Sequence, residues 1–206
     1  MRSFRDNRLL HWLLAWLLLV WVITAIEPFN RRDWFLENLL VFIYGAILVA
    51  TYRRFRFSNL TYLLFGAFIT LHLYGAHYTY AETPFGYWLQ SNFDLSRNHY
   101  DRIVHFSYGL LTATAFREVL VRVAGVKVRW SYFLTVLCVL AFSAVYEFLE
   151  AAVAHIVSPE LGNAYLGTQG DEWDAEKDTF LAFSGAILSM TITWLYNKMK
   201  CIKAGP

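Results

Sequence analysis

Residues 9–26 read LLHWLLAWLLLVWVITAI, a stretch without Asp, Glu, Lys or Arg. A bilayer core about 30 Å thick needs about 20 mostly apolar residues in each helix that crosses it. The stretch is longer than the apolar region of a usual signal peptide and has no small-residue cleavage site after it. We therefore interpret it as a membrane helix that stays in the protein.

Five further stretches along the chain resemble the first in length and in apolar composition. Together they give the predicted spans 9–26, 34–52, 60–80, 102–123, 130–156 and 179–196. Only 17% of the 206 residues are charged and 57% are hydrophobic, whereas an ordinary soluble domain carries about 25% charged residues. The sequence therefore predicts an all-α, polytopic membrane protein, with residues 1–206 forming one domain of six bundled helices.

The basic residues predict how the spans are oriented. If the N-terminus lies in the cytoplasm, 13 of the 18 Lys and Arg residues fall in cytoplasmic segments, as the positive-inside rule requires. In contrast, 14 of the 16 acidic residues fall on or near the outer side. We expect a multi-pass protein of the bacterial inner membrane with both termini in the cytoplasm. Because topology accounts for the basic residues, nucleic-acid binding is not indicated.

Ionisable side chains inside membrane segments are costly, and here they fall at one level near the outer side. They come in pairs spaced one helical turn apart, so that the members of a pair share a face. A rise of about 1.5 Å per residue places the pairs of three helices at similar depth. The candidates are Asp101, His105, Glu147, Glu150, Asp171, Asp174 and Asp178, with His72 somewhat deeper.

Carboxylates and imidazoles without thiols suit a divalent metal ion, and we predict all eight of these residues as candidate ligands. A metal ion at the outer interface would activate water or hold a phosphoryl oxygen. We therefore expect a hydrolytic site that acts on a membrane lipid, through its phosphate headgroup, or on another envelope-related substrate. The predicted catalytic residues are His105, Glu147 and Asp178, and the predicted substrate-binding residues are Arg102, Trp173 and Lys177.

Other interpretations of the same residues stay open at this point. Asp101 and Asp174 are well placed to cap helix N-termini, and Arg102 is well placed to pair with an acid. Acids and histidines without a metal ion could instead relay protons in an ion- or proton-coupled transporter. They could also form a structural polar layer that holds six helices together. The sequence does not indicate an oligomeric state.

Three blocks of sequence resemble the YjdF family of bacterial inner-membrane proteins. They are YDRIVHF at 100–106, YEFLE at 146–150 and GDEWDAEKD at 170–178. The resemblance covers almost the whole chain. Since this family has no known function, the resemblance implies the membrane topology and draws attention to the same residues without implying a reaction.

A more distant resemblance is to VanZ-like membrane proteins, which are associated with teicoplanin resistance and cell-envelope processes. The Asp101 to His105 block is similar to their Asp-Lys-x-x-His block, and Glu147 to a residue of their Glu-rich helix. Asp178, followed seven residues later by Gly185, is similar to their last motif. Arg102 stands in place of their Lys, and Ala182 in place of their Asn.

Overall fold

A computed structural model describes residues 4 and 6–204, with side chains apart from those of residues 164 and 201–204. The two ends of the predicted domain, residues 1–3, 5, 205 and 206, lie outside the described residues. The described part of the chain contains eight helices and no strand, which confirms the all-α class. The helices are α1 Arg8–Ala25, α2 Arg31–Thr51, α3 Asn59–His77, α4 Pro84–Phe93, α5 Tyr100–Arg122, α6 Val128–Ile156, α7 Pro159–Leu166 and α8 Asp174–Ala204.

Four of these helices, α1, α2, α6 and the Asp174–Lys200 part of α8, are long and apolar enough to cross a membrane. Helices α3 and α5 coincide with the predicted spans 60–80 and 102–123 but are not among these four. They lie in the interior of the bundle: α3 packs against α1, α2 and α5, while α5 packs against α3, α6 and α8. Their polar residues therefore face protein neighbours.

Two short helices, α4 and α7, were not predicted and lie within the long connections 81–100 and 157–177. Each begins with a proline, Pro84 or Pro159, at a position where the missing backbone N–H costs nothing. Helix α7 packs against α2 and α6. The end of the bundle that carries α4 and α7 is called the loop end below.

Helix α3 ends at His77, three residues before the predicted limit of its span. Thr79 and Tyr80 adopt left-handed backbone angles, with φ of 50° and 53°, and these angles stop the helix. The turn folds the Tyr80 ring back against Gly75, which has no Cβ in the way. As a result, Tyr80 lies beside His72 in the interior.

Helices α5 and α8 run side by side with their backbones almost in contact. A Cβ atom added at Gly109 would overlap the carbonyl oxygen of Ala182, and one at Gly185 would overlap the carbonyl oxygen of Phe106. Ala182 and Ala186 are completely buried in the same interface. This close approach brings polar residues near the start of α5 next to those at the start of α8.

Candidate metal site and buried cavity

Side chains from α5 and α8 meet at the loop end of the bundle. One potential ligand atom from each of Asp101, His105 and Asp178 lies within 4.8 Å of the other two, and we call these three residues the acid–histidine cluster. In a tetrahedral site, metal–ligand bonds of about 2.0–2.2 Å place the ligand atoms about 3.3–3.6 Å apart. The three side chains would therefore have to move closer together, by up to about 1.5 Å, to hold one divalent cation.

The His105 ring lies between two carboxylates. Its Nε2 is 3.4 Å from Asp101 Oδ1 and its Nδ1 is 3.6 Å from Glu147 Oε1. Both distances exceed the usual hydrogen-bond range of about 2.7–3.2 Å. The ring is therefore near both acids without a close hydrogen bond to either of them.

Within the described part of the chain, two buried carboxylate oxygens at this site accept no hydrogen bond, Glu147 Oε1 and Asp178 Oδ1. Asp178 is only 1% exposed. Its Oδ1 lies 2.8 Å from Arg102 Nη1, an ion-pair distance without the alignment of a hydrogen bond. Buried polar atoms are normally paired because desolvation without a partner costs free energy. Glu147 Oε1 is therefore available to a proton or a cation, whereas Asp178 Oδ1 already faces the positive charge of Arg102. The carboxylate and imidazole groups of the cluster are of the kinds that hold divalent metal ions, so the residues present fit a metal ion.

Beside the cluster, two arginines neutralise the acids that precede Asp178. Arg102 donates from Nη2 to Asp174 Oδ1 at 2.5 Å and to Asp171 Oδ2 at 3.0 Å. Arg97 donates from Nη1 to the same Asp174 oxygen at 2.6 Å. Asp174 is balanced by two guanidinium groups and Asp178 by one, so Asp174 has the weaker claim as a metal ligand.

Arg97 and its neighbour Asn98 also join the two connections at the loop end. Arg97 donates to the backbone carbonyl oxygens of Gly167 and Thr168 at 3.1 and 2.8 Å. The Asn98 backbone N–H donates to Gln169 Oε1, and Gln169 Nε2 donates back to the Asn98 carbonyl oxygen, at 3.0 and 2.9 Å. Neither residue is among the site residues predicted from the sequence. Arg97 lies on the side of the predicted membrane opposite to most basic residues, and this unusual position is the signal that could have identified it.

The predicted substrate-binding residues lie at different depths. Arg102 is buried, and its guanidinium group forms ion pairs with acids of α8 and of the loop before it. Lys177 and Trp173 are exposed at the surface, by 54% and 64%. Lys177 Nζ lies 2.6–2.7 Å from both Asp171 oxygens, and this hydrogen bonding lowers the pKa of the Asp171 carboxyl group. A substrate role for these three residues stays a prediction.

His72, the deeper candidate ligand, is engaged elsewhere. Its Nε2 lies 3.2 Å from the Glu37 carbonyl oxygen and donates to it, so its Nδ1 accepts a hydrogen bond of 2.5 Å from the Tyr80 hydroxyl group. Both ring nitrogens are therefore occupied. His72 and Glu150 line a cavity next to the cluster instead.

This cavity has a volume of about 70 Å³, enough for about five to seven water-sized groups. The ionisable and phenolic groups of its polar part come from five helices and the turn after α3. They are Glu37, His72, Tyr80, Asp101, His105, Tyr146, Glu150 and Tyr165. The cavity and the acid–histidine cluster share Asp101 and His105, so they form one continuous site.

Helix α2 contributes two acids to this region that are not among the site residues predicted from the sequence. Glu37 is 2% exposed and accepts a 3.5 Å hydrogen bond from the Tyr146 hydroxyl group. Asp33, one turn earlier, is 1% exposed, and neither of its carboxylate oxygens has a hydrogen-bond partner among the residues that the structure describes. The one-turn spacing that singled out the other acid pairs is also present here.

Residues 9–199 match the family described as "Predicted membrane protein (DUF2238)". The chain belongs to this family. Inner membrane protein YjdF of Escherichia coli (strain K12) is 38% identical to it over 175 residues, which cover 84% of this chain and 83% of the relative. These findings confirm the resemblance to the YjdF family and show an integral inner-membrane protein. No solved structure matches this DUF2238 protein.

Proposed function

We propose that this protein binds a divalent cation at Asp101, His105 and Asp178 and uses it to hydrolyse a lipid or another envelope-related substrate. The observation that carries the proposal is the convergence of these three side chains within 4.8 Å, beside buried carboxylate oxygens that have no hydrogen bond. A divalent cation supplies Lewis-acid chemistry, because it polarises a phosphoryl or carbonyl oxygen or activates water.

Glu147 is the candidate acid–base group in this proposal. Its Oε1 lies 3.6 Å from His105 Nδ1 and has no hydrogen-bond partner, so it can accept a proton beside the cluster. Lys177 and Trp173 are exposed at the same end of the bundle, at the level where phosphate headgroups are presented. We assign them to contact with the substrate headgroup.

The proposed topology has six membrane-spanning helices, α1, α2, α3, α5, α6 and α8, with both termini in the cytoplasm. It rests on the concentration of 13 of the 18 basic residues on one side and on the interior position of α3 and α5. In this arrangement the loop end, with α4 and α7, faces the periplasm. The acid–histidine cluster then opens to the outer side of the inner membrane.

Reporter fusions test this topology. Alkaline phosphatase inserted after Asp94, an exposed residue that follows α4, should be active, because this enzyme matures only in the periplasm. The same insertion at Gly125, between α5 and α6, should be inactive, while green fluorescent protein fused to the C-terminus should fluoresce. Phosphatase activity at Gly125 and none at Asp94 would show that the orientation is reversed.

Elemental analysis tests the metal site. Protein purified without chelator should contain about one divalent cation per chain. Asp101→Ala, Asp178→Ala and Glu147→Ala should each reduce this content, the first two at least tenfold. Glu176→Ala is the matched control, since this acid lies on the same turn of α8 as Asp178 but is exposed. A folded wild-type protein without bound metal, or equal metal content in all variants, would contradict the proposal.

The alternative of a transporter needs a polar route to the other end of the bundle. Among the described residues, the cavity ends instead on apolar and aromatic side chains, including Phe68, Tyr108 and Phe142. A site confined to one end suits a reaction at the membrane surface better than passage across it.

A further inference from the structure

The cavity lies at a gap between two helices. Its walls come mainly from α2, α3, α5 and α6, and the end of α7 closes it at the loop end. Helix α2 packs against α3 and α7, whereas α6 packs against α5, α7 and α8. The space between α2 and α6 is thus bridged by α7 at the loop end, and the cavity occupies the part below it.

Along the helix axes, the lining of the cavity changes from acids and imidazoles at the loop end to mainly aliphatic and aromatic side chains deeper. On α2, Glu37 is followed by Leu40 and Tyr44, which are one and two turns further from the loop end. On α6, which runs in the opposite direction, Glu150 lies nearest the loop end and Phe142 two turns further in. Both helices therefore present an acid at the loop end and mainly aliphatic or aromatic groups deeper, where the hydroxyl groups of Tyr44 and Ser143 remain polar.

Helices α3 and α5 show the same gradient. His72 lies nearer the loop end than Phe68 on α3, and His105 lies nearer the loop end than Tyr108 on α5. Four helices of alternating direction agree, so the gradient is a property of the cavity. The lining extends about 10 Å along α2 from Glu37 to Tyr44, and about 6 Å of this length, from Leu40 to Tyr44, lies beyond the acid, at 1.5 Å per residue.

One residue connects the apolar part of the cavity with the outer surface of the bundle. Phe142 lines the cavity and is also 53% exposed. On the same helix, Val145 and Phe148 are 51% and 72% exposed. In the proposed topology these side chains face lipid, so Phe142 is the side chain that separates the cavity from the hydrocarbon core.

We infer that the cavity takes up one hydrocarbon chain of a membrane lipid, which enters between α2 and α6. The chain lies along the apolar groups, and the lipid headgroup then reaches the acid–histidine cluster at the loop end. Room for five to seven water-sized groups matches a short stretch of such a chain. Binding of the hydrocarbon chain does not depend on the proposed function; only the reaction of the headgroup rests on it.

Photocrosslinking from the lipid chain tests this inference. The full-length protein is placed in nanodiscs of phosphatidylethanolamine and phosphatidylglycerol that contain a phosphatidylglycerol with a diazirine in its acyl chain. After illumination, mass spectrometry locates the adducts. Phe68 and Ile69 line the cavity but are 9% and 5% exposed, so bulk lipid cannot reach them easily. We expect adducts at both residues.

A pair of tryptophan substitutions on α2 provides the matched control. Val41→Trp places a large ring in the cavity and should reduce labelling of Phe68 and Ile69 at least fivefold. Ile43→Trp adds the same ring two positions away, where the side chain is 54% exposed on the outer surface, and should leave that labelling unchanged. Equal labelling in the two variants would overturn the inference.

The metal content of the same samples separates this inference from the proposed function. Labelling of Phe68 and Ile69 in a metal-free protein would support the lipid chain and contradict the metal site. A protein that binds metal but carries adducts only on exposed residues, such as Leu18 and Ile23 of α1, would overturn the lipid inference alone.

Discussion

Gly109→Ala should disrupt the contact between α5 and α8 and lower the stability of the protein sharply. The added Cβ would overlap the backbone carbonyl oxygen of Ala182, which cannot rotate away as a side chain could. Overpacking usually costs about 1–3 kcal/mol, and we expect at least the upper end of that range. For a chain of this size, about 3 kcal/mol lowers Tm by about 6–12 °C. Thermal unfolding in detergent, followed by tryptophan fluorescence, measures this change.

Gly45→Ala is the matched control for this substitution. Gly45 also lies in a long apolar helix, α2, but nothing lies within 4 Å of the position of an added Cβ. Alanine is the better helix former, so the Tm of this variant should stay the same or rise slightly. If Gly109→Ala unfolds at the same temperature as Gly45→Ala, α5 and α8 are not as close as described here.

Arg102→Gln should produce a second large loss of stability. Arg102 is 8% exposed and pairs with Asp171, Asp174 and Asp178. Asp174 retains Arg97 in this variant, but Asp178 loses its guanidinium neighbour while it stays buried. Removing one partner of a buried ion pair costs about 3–5 kcal/mol, so Tm should fall by about 6–20 °C. The same thermal unfolding experiment applies.

The control for Arg102 is Lys177→Gln, which also removes a positive charge next to Asp171. The Lys177 side chain is 54% exposed, and an ion pair in water contributes about 0–1 kcal/mol. Its Tm should therefore change by no more than about 4 °C. Equal losses in the two variants would mean that burial of the Arg102 pairs does not determine their contribution to stability.

The long helices could be predicted from the sequence because a membrane span needs an apolar stretch of set length. Helices α4 and α7 could not, because each is too short to stand out in composition and is held by contacts distant in sequence. The α4 helix, for example, lies so close to Asn98 that its Gly86 has no room for a Cβ. Asn98 in turn bonds to Gln169, 71 residues further along the chain.

The candidate site was only partly predictable for a related reason. One-turn spacing identified Asp101 with His105, but it could not show that Asp178 would join them and that Asp174 would pair with arginines. That distinction depends on the rotation of α8 against α5, which the contacts at Gly109 and Gly185 fix. Roles in metal binding and hydrolysis stay proposals for all of these residues.

The central claim is that a cation binds next to the His105 ring, and pulsed electron paramagnetic resonance with Mn²⁺ tests it most directly. Protein labelled with ¹⁵N-histidine and loaded with one Mn²⁺ should show coupling between the metal and an imidazole nitrogen. This coupling should disappear in His105→Gln and persist in His99→Gln, a change at the residue that precedes α5. Mn²⁺ that binds without nitrogen coupling, or no stoichiometric binding at all, would contradict the account.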